Sequence, residues 1–444
     1  MEELTKIQKF YHGKTVFITG YRIPRKLFAT IKSHNTKVLD KVVFMNGDIT
    51  LSNFGLSPED YNRIIEQTNI VYHSAASVKF VLPLHEIVPL NIVGTKTMIG
   101  IAKKMNNLQA LIHVSTAYAF FDRNIIDETV QTVMYKPEFL IDLTNNMTKE
   151  KLDQITPALL GTLPNTYILT KQVAEQILYE AHENIPVAIY RPAAIMPTYR
   201  EPLPGWMNNY YAGIGIGVVL ATGASKVIHL NNVRSDILPV DMAVNCMIAA
   251  AWDTAVRREK QVKIFNHSTA IYFYQYLDAV VNSNYQLESA IRYPGYIVAI
   301  SSWKYNICAL FIETIPNALV DMVCGVLGKN VNCSVKCKRG AKLLNIIKYF
   351  YEKNFNFQTK NIPALWQQLD SKDRELFNFD SNSINWNEYL QIICCGFKKI
   401  LFKEDMNKLD KVRNKHKLLH LYEYLIIILY GAVLLTVLYM INII

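Results

Sequence analysis

Lys14-Thr15-Val16-Phe17-Ile18-Thr19-Gly20 reads as a β-strand that runs into a turn, and the residues after that turn decide how the fold is read. In an open parallel sheet that binds a dinucleotide, glycines after the first strand let the pyrophosphate reach a helix N-terminus. Here Gly20 is followed by Tyr21-Arg22-Ile23-Pro24-Arg25. Pro24 has no N–H to donate, and bulky side chains block close approach. As a phosphate cradle this turn fails on its own.

Outward from that turn, short apolar runs alternate with helical patterns over the first 250 residues or so, which argues for a parallel sheet. Strands are expected at Thr15–Thr19, Val42–Asn46, Ile70–His73, Leu111–Ser115 and Val187–Tyr190, with helices near Pro58–Gln67, Leu84–Lys104 and Thr166–Ala181. The interval from Gly20 to Val42 has room for one crossover helix, but not for a helix, a strand and a second helix. Gly47-Asp48-Ile49 and His73-Ser74-Ala75-Ala76 each end a strand, where open parallel sheets bind ligands. A carboxylate at Asp48 suits an adenine amino group, and the small residues after His73 permit a close ligand. Asn91-x-x-Gly94-Thr95 sits in the next helix. Gly213-x-Gly215-x-Gly217 comes after the last strand of the sheet and reads as a flexible substrate-loop segment.

Tyr167 and Lys171 are four residues apart on a helix and share a face. A nearby ammonium favours tyrosinate and lowers the phenol pKa from about 10. Such a tyrosine donates a proton to a developing alkoxide near neutral pH. A hydroxyl from Ser115 or Thr116, at a strand end, would hold the same oxygen. Tyr349 and Lys353 have the same spacing, but no strand-end hydroxyl precedes them in sequence. Context, not spacing, separates the two pairs.

The chain has 444 residues, 50% of them apolar, and a formal charge of +10. That excludes a disordered chain, and charges interrupt the apolar runs too often for a multi-span transporter. The basic residues lack interleaved stacking aromatics, so no nucleic-acid partner is expected. The seven cysteines form no secreted framework, and no metal site is expected. After about residue 255 aromatic and apolar helices dominate. We expect a reductase-type sheet domain at 1–255, a helical domain at 256–405, a basic neck at 406–424 and a transmembrane helix at 425–444. The last segment carries no charge and is about the 20 residues a bilayer requires. Lys408, Lys411, Arg413, Lys415 and Lys417 before it place the upstream side in the cytosol. Ile307–Leu327 contains Glu313, Pro316 and Asp321 and reads as a buried or membrane-dipping helix pair.

Taken together, these residues resemble the fatty acyl-CoA reductases, membrane-associated members of the extended short-chain dehydrogenase/reductase superfamily. The resemblance rests on Val71–Ala76, Asn91–Thr95, His113–Tyr118, Tyr167–Lys171, Tyr190-Arg191-Pro192, Glu201–Trp206 and Asp236–Asp241. Leu365-Trp366, Phe377–Asp380, Trp386 and Gly396–Lys399 extend it over nearly the whole chain. It implies an α/β fold: a Rossmann-like doubly wound sheet lacking one N-terminal β-α unit, then a helical domain. It also implies NADPH as cofactor, a long-chain fatty acyl-CoA as substrate and a lipid membrane as partner, at the endoplasmic reticulum or peroxisome. One hydride would take the thioester to a thiohemiacetal that collapses to aldehyde and CoA thiol, and a second would give the alcohol. Tyr167 would be the general acid, Lys171 would lower its pKa and hold the ribose, and Ser115 or Thr116 would orient the carbonyl. Thr19, Gly20, Asp48, Ile49, His73 and Ser74 would line the cofactor groove. So would Ala75, Ala76, Asn91, Lys171, Arg191 and Pro192.

One departure stands out. The family carries a glycine-rich loop, a helix and a second strand after the first strand, and here that unit is absent. Tyr21–Arg25 resembles the end of the family's second strand, spliced onto Thr19-Gly20. The alternative expectation is therefore a catalytically inactive member that binds acyl chains or a partner.

Overall fold

The structure is a computed structural model, and it describes residues 3–20, 36–230, 234–257, 261–326, 328, 332–350 and 354–440. The chain divides into two compact units, neither of them one stretch of sequence. The first takes Met1–Ala193, Val240–Thr269 and Phe355–Ser383, and the second takes the remainder.

The first unit is built on a five-stranded parallel sheet of β1 (Thr15–Thr19), β2 (Thr68–His73), β3 (Ala110–Val114), β4 (Val187–Pro192) and β5 (Lys263–His267), in that spatial order. The central strands are apolar and buried nearly throughout, as expected of strands covered on both faces. Register places Thr19 beside His73, and His73 beside His113. The carboxyl ends of β1, β2 and β3 therefore lie side by side.

Local chemistry starts the helices that position the site. At Pro58–Gln67, Ser57 accepts from the Asp60 N–H at 3.1 Å, Pro58 occupies the first turn, and Glu59 and Asp60 complement the helix dipole. At Thr166–Ala181, Asn165 accepts from the Ile168 N–H at 3.0 Å, which fixes Tyr167 in the first turn. Residues 84–102 form one helical run that widens into a π-turn at Pro89–Val93, and Asn91 sits in that turn. π-Turns of this kind often mark functional positions.

Two expectations about this unit and the glycine run change. Val42–Asn46 is not a strand: residues 42–48 have no regular structure, and Val43 and Phe44 are exposed. An apolar run becomes a strand only with a ladder to join. Gly213-x-Gly215-x-Gly217 is no loop but lies in the buried helix Ala212–Ala221 of the second unit. A Cβ at Gly213 would strike Met196, one at Gly215 the Tyr210 carbonyl, and one at Gly217 the Tyr276 hydroxyl and Phe397. These glycines serve close packing.

In the second unit, Ala194–Met196 pairs in parallel with Arg234–Pro239, and Val227–His229 with Ile297–Ala299. The expected helix pair at Ile307–Leu327 is one continuous apolar helical run, Ser302–Val326, and Leu327 lies outside the described residues. Its two carboxylates are accounted for internally. Buried Glu313 accepts from the Ser225 hydroxyl at 2.7 Å and from the Lys226 and Val227 N–H groups, while Asp321 accepts from the Cys333 and Ser334 N–H groups at 2.7 and 2.9 Å.

A C-terminal membrane anchor is not supported among the described residues. A single helix, Leu409–Met440, spans the expected neck and anchor segments. Lys411 pairs with Glu288 at 2.6 Å, Lys415 donates to the Glu288 carbonyl, and Glu423 receives both Arg292 (2.7 Å) and Lys226 (2.8 Å). Tyr422 and Tyr430 donate to the Pro316 and Phe311 carbonyls at 3.1 and 2.7 Å. The basic stretch is thus partly docked on its own domain. The uncharged part that is described runs from 425 to 440, and 441–444 lie outside the described residues. Among the described residues, the helix long and apolar enough to cross a membrane is Ser302–Val326, not the C-terminal one.

Candidate active site

Tyr167 and Lys171 stand where their spacing put them, on one buried face of the Thr166–Ala181 helix. Their neighbours divide the work differently from expectation. The Thr116 side chain lies beside the Tyr167 hydroxyl. Lys171 Nζ turns instead to the Val114 carbonyl, at 2.7 Å. Burial raises the Tyr167 phenol well above its ordinary range, with the neighbouring Thr116 hydroxyl pulling it back in part. Burial likewise lowers Lys171 from 10.5 to about 8, against the pull of the Glu175 carboxylate. Burial is the dominant influence on the phenol in this arrangement.

Ser115 and Thr116 are separated by their partners. The Ser115 N–H extends the sheet by donating to the Tyr190 carbonyl at 2.8 Å, and its hydroxyl donates to Glu175 at 2.5 Å. Thr116 begins the short helical turn Ala117–Phe120, and its hydroxyl faces Tyr167. Phe80 packs on the Tyr167 ring with centroids 5.4 Å apart.

Arg191 does not turn to the groove. It is fully buried, paired with Glu175 at 2.5 Å, and it also donates to the Asp127 and Thr129 carbonyls at 2.9 and 3.2 Å. Pro192 ends β4 inside the sheet, opposite His267. Glu175 is the residue that sequence reading missed. Its signal was present, since Tyr167, Lys171 and Glu175 recur at four-residue intervals on one stripe.

The expected cofactor residues gather at the strand ends in part. Ser74 N–H donates to the Thr19 carbonyl at 3.1 Å, and Ala75 N–H to the Thr19 hydroxyl at 3.4 Å, which ties the ends of β1 and β2 together. Gly20 and Ser74 are exposed there, and Ala75 and Ala76 are half-buried. Asn91 accepts from the Ser77 N–H at 2.8 Å and donates to its carbonyl and to Thr170, at 3.2 and 3.0 Å. It thus fixes the loop after β2 against the helix that carries Tyr167. His73 is buried between the Thr19 and Thr95 hydroxyls, at 2.7 and 3.3 Å, and burial lowers it to about 3, so it is neutral. It is a structural ring beneath the groove. Its strand neighbour His113 is also buried, with neither ring nitrogen partnered among the described residues. Asp48 is exposed and held by Thr50, whose N–H and hydroxyl lie at 2.9 and 2.8 Å and lower its carboxyl. Ile49 packs where Gly94 leaves room.

The residues fit one end of a nicotinamide dinucleotide. Small residues at 74–76, a rigid Asn91 turn and the Tyr167–Thr116 pair suit the nicotinamide–ribose end. The diphosphate end is not matched in the same way. Arg22, Arg25 and the rest of 21–35 lie outside the described residues, and β1 has no strand on its far side among those described.

Comparisons with known proteins bear on the family and the fold. Residues 18–247 match an NAD-binding family described as male sterility protein, and residues 312–404 match a second family of the same description. The chain is 30% identical over 421 residues to fatty acyl-CoA reductase wat of Drosophila melanogaster, covering 93% of this chain and 81% of that one. It is 33% identical over 398 residues to human fatty acyl-CoA reductase 1, covering 88% and 77%. In fold it is similar to the reductase domain of a nonribosomal peptide synthetase from Mycobacterium tuberculosis, at 16% identity and TM-score 0.55, covering 87% and 85%. The terminal reductase domain of the myxalamid pathway gives 14% and 0.52, covering 87% and 84%. The chain belongs to the fatty acyl-CoA reductase family, and its fold is the Rossmann-like fold of a nicotinamide-dependent reductase.

Proposed function

We propose that the chain reduces long-chain fatty acyl-CoA to fatty alcohol with NADPH, releasing CoA. The observation that carries this is the Tyr167–Thr116 hydroxyl pair at the carboxyl end of β3. When bound, the cofactor supplies hydride to the carbonyl carbon. Tyr167, kept protonated by burial, donates its proton to the oxygen as negative charge develops there. Thr116 fixes that oxygen and the phenol together. Lys171, near 8, can hold or release a proton at neutral pH and would bind the ribose hydroxyls. Ser115, engaged by Glu175, positions the turn instead of touching the carbonyl.

The first reduction gives a thiohemiacetal. Its collapse breaks the C–S bond, returns the hydroxyl proton to Tyr167 as the C=O reforms, and releases CoA thiolate, which takes a proton from water. The second reduction adds hydride and a proton to the aldehyde. NADPH, as opposed to NADH, rests on the family resemblance alone.

We place the reductase unit on the cytosolic side of a membrane, that of the endoplasmic reticulum or peroxisome. The support is the apolar Ser302–Val326 helix, most of which is not buried, with Trp303, Ile307, Leu310 and Phe311 exposed. A substrate that partitions into lipid suits that surface.

A second reading is favoured by one observation: among the described residues β1 lies at the sheet edge, and Ile18 is exposed. It makes the chain an inactive family member that retains the acyl-binding part. Incubating the purified chain with NADPH and palmitoyl-CoA, then identifying the product by mass spectrometry, separates the two. Hexadecanol supports the reductase; hexadecanal alone corrects the final step; no product favours the second reading.

A further inference from the structure

β1 ends the sheet, and its one partner among the described residues is β2. Its outer edge carries backbone N–H and C=O groups with no described strand beside them, which is a template for pairing with another chain. The strand itself lacks the charge and proline that usually blunt such an edge. Thr15-Val16-Phe17-Ile18-Thr19 has no charge and no proline. The one irregularity in its pairing falls between Thr15 and Val16, which leaves Val16–Thr19 regular. Val16 and Ile18 are 36% and 66% exposed, on the same side of the strand.

The strand also has a property that selects its partner. Read in either direction, it presents threonine, a β-branched aliphatic, phenylalanine, a β-branched aliphatic and threonine. A contact between identical surfaces across a two-fold axis requires self-complementarity, and it closes at two copies. With the axis through Phe17, an antiparallel second copy sets Val16 opposite Ile18, Thr15 opposite Thr19, and Phe17 opposite itself. β-Branched, threonine and aromatic pairs of this kind stabilise antiparallel strands. The flanking Lys14 meets Gly20, so no like charges oppose.

We propose that this chain forms a two-fold dimer through β1, joining two five-stranded sheets edge to edge. The two Tyr167 sites then lie at opposite ends of the joined sheet, because the strands run antiparallel. The inference does not depend on catalytic activity.

The test uses the full chain in detergent, measured by sedimentation velocity at micromolar concentration. The expected result is a dimer that Ile18→Lys converts to a monomer with an unchanged circular dichroism spectrum. A monomeric parent, open-ended aggregates, or a dimer indifferent to Ile18→Lys would overturn the proposal. Register is read separately by mixing Val16→Cys and Ile18→Cys chains under mild oxidant and identifying the joined peptides by mass spectrometry, with the seven native free cysteines as internal controls. A 16–18 disulfide between chains supports the pairing. Cross-linking of 16 to 16 in its place, or none at all, contradicts it.

Discussion

Ser115 and Thr116 are chain neighbours whose hydroxyls serve opposite ends of the site: Ser115 donates to the buried Glu175, and Thr116 lies beside Tyr167. Sequence alone left the two equivalent. The alternation of an extended chain separates them, since consecutive side chains point to opposite faces.

This division predicts unequal substitutions. Thr116→Val removes the hydroxyl that faces Tyr167 and should lower kcat by about 10-fold or more, with KM little changed. Ser115→Ala leaves Glu175 paired with Arg191 and should cost about 1 kcal/mol of stability with kcat within a few-fold. Steady-state kinetics and urea unfolding of the two variants decide it. The reverse order would return the carbonyl-orienting role to Ser115.

Glu175→Gln should be strongly destabilising, by about 3–5 kcal/mol, because it strips the carboxylate from a fully buried Arg191. Replacing both partners, Glu175→Leu with Arg191→Met, should recover much of that loss. Chemical denaturation of the single and double variants measures it, and an additive double loss would argue against a coupled pair.

Stability should rise with pH through the window set by Lys171. Its folded value, about 8, lies below its ordinary 10.5. Between those values the unfolded chain binds the proton that the folded chain has released, so unfolding becomes harder as pH increases. The full difference corresponds to about 3 kcal/mol. Lys171→Met should flatten the slope between about pH 8 and 9.5 relative to the parent. Equal slopes in both proteins would mean that the ammonium is not desolvated.

Lipid binding should follow the Ser302–Val326 surface. Leu310→Glu with Phe311→Glu should reduce flotation with phosphatidylcholine vesicles several-fold while leaving secondary structure intact. Undiminished flotation would move the lipid contact to the Leu409–Met440 helix.

Much of this molecule could be read along the chain, and the remainder has a common cause. Thr15–Thr19, Pro58–Gln67 and Thr166–Ala181 form at the expected bounds because periodicity and caps are local. The shared face of Tyr167 and Lys171 follows from helical spacing in the same way. Glu175 was not legible as buried, because Arg191 and Ser115, brought to it from elsewhere in the chain, make a carboxylate tolerable there. Val42–Asn46 has strand composition without a ladder to join. The glycines at 213, 215 and 217 look like a loop until Tyr276 and Phe397 are seen against them. The C-terminal helix reads as a free anchor until Arg292 and Lys226, far away in sequence, are found on Glu423.

The central claim is that this chain is a working nicotinamide-dependent reductase with Tyr167 as its acid. NADPH binding to the purified chain, followed by nicotinamide fluorescence and paired with acyl-CoA turnover in the parent and in Tyr167→Phe, tests it most directly. The account predicts binding by both proteins and turnover by the parent alone, with Tyr167→Phe at least about 100-fold slower. A parent that binds no NADPH, or a Tyr167→Phe chain that turns over at the parental rate, would contradict it.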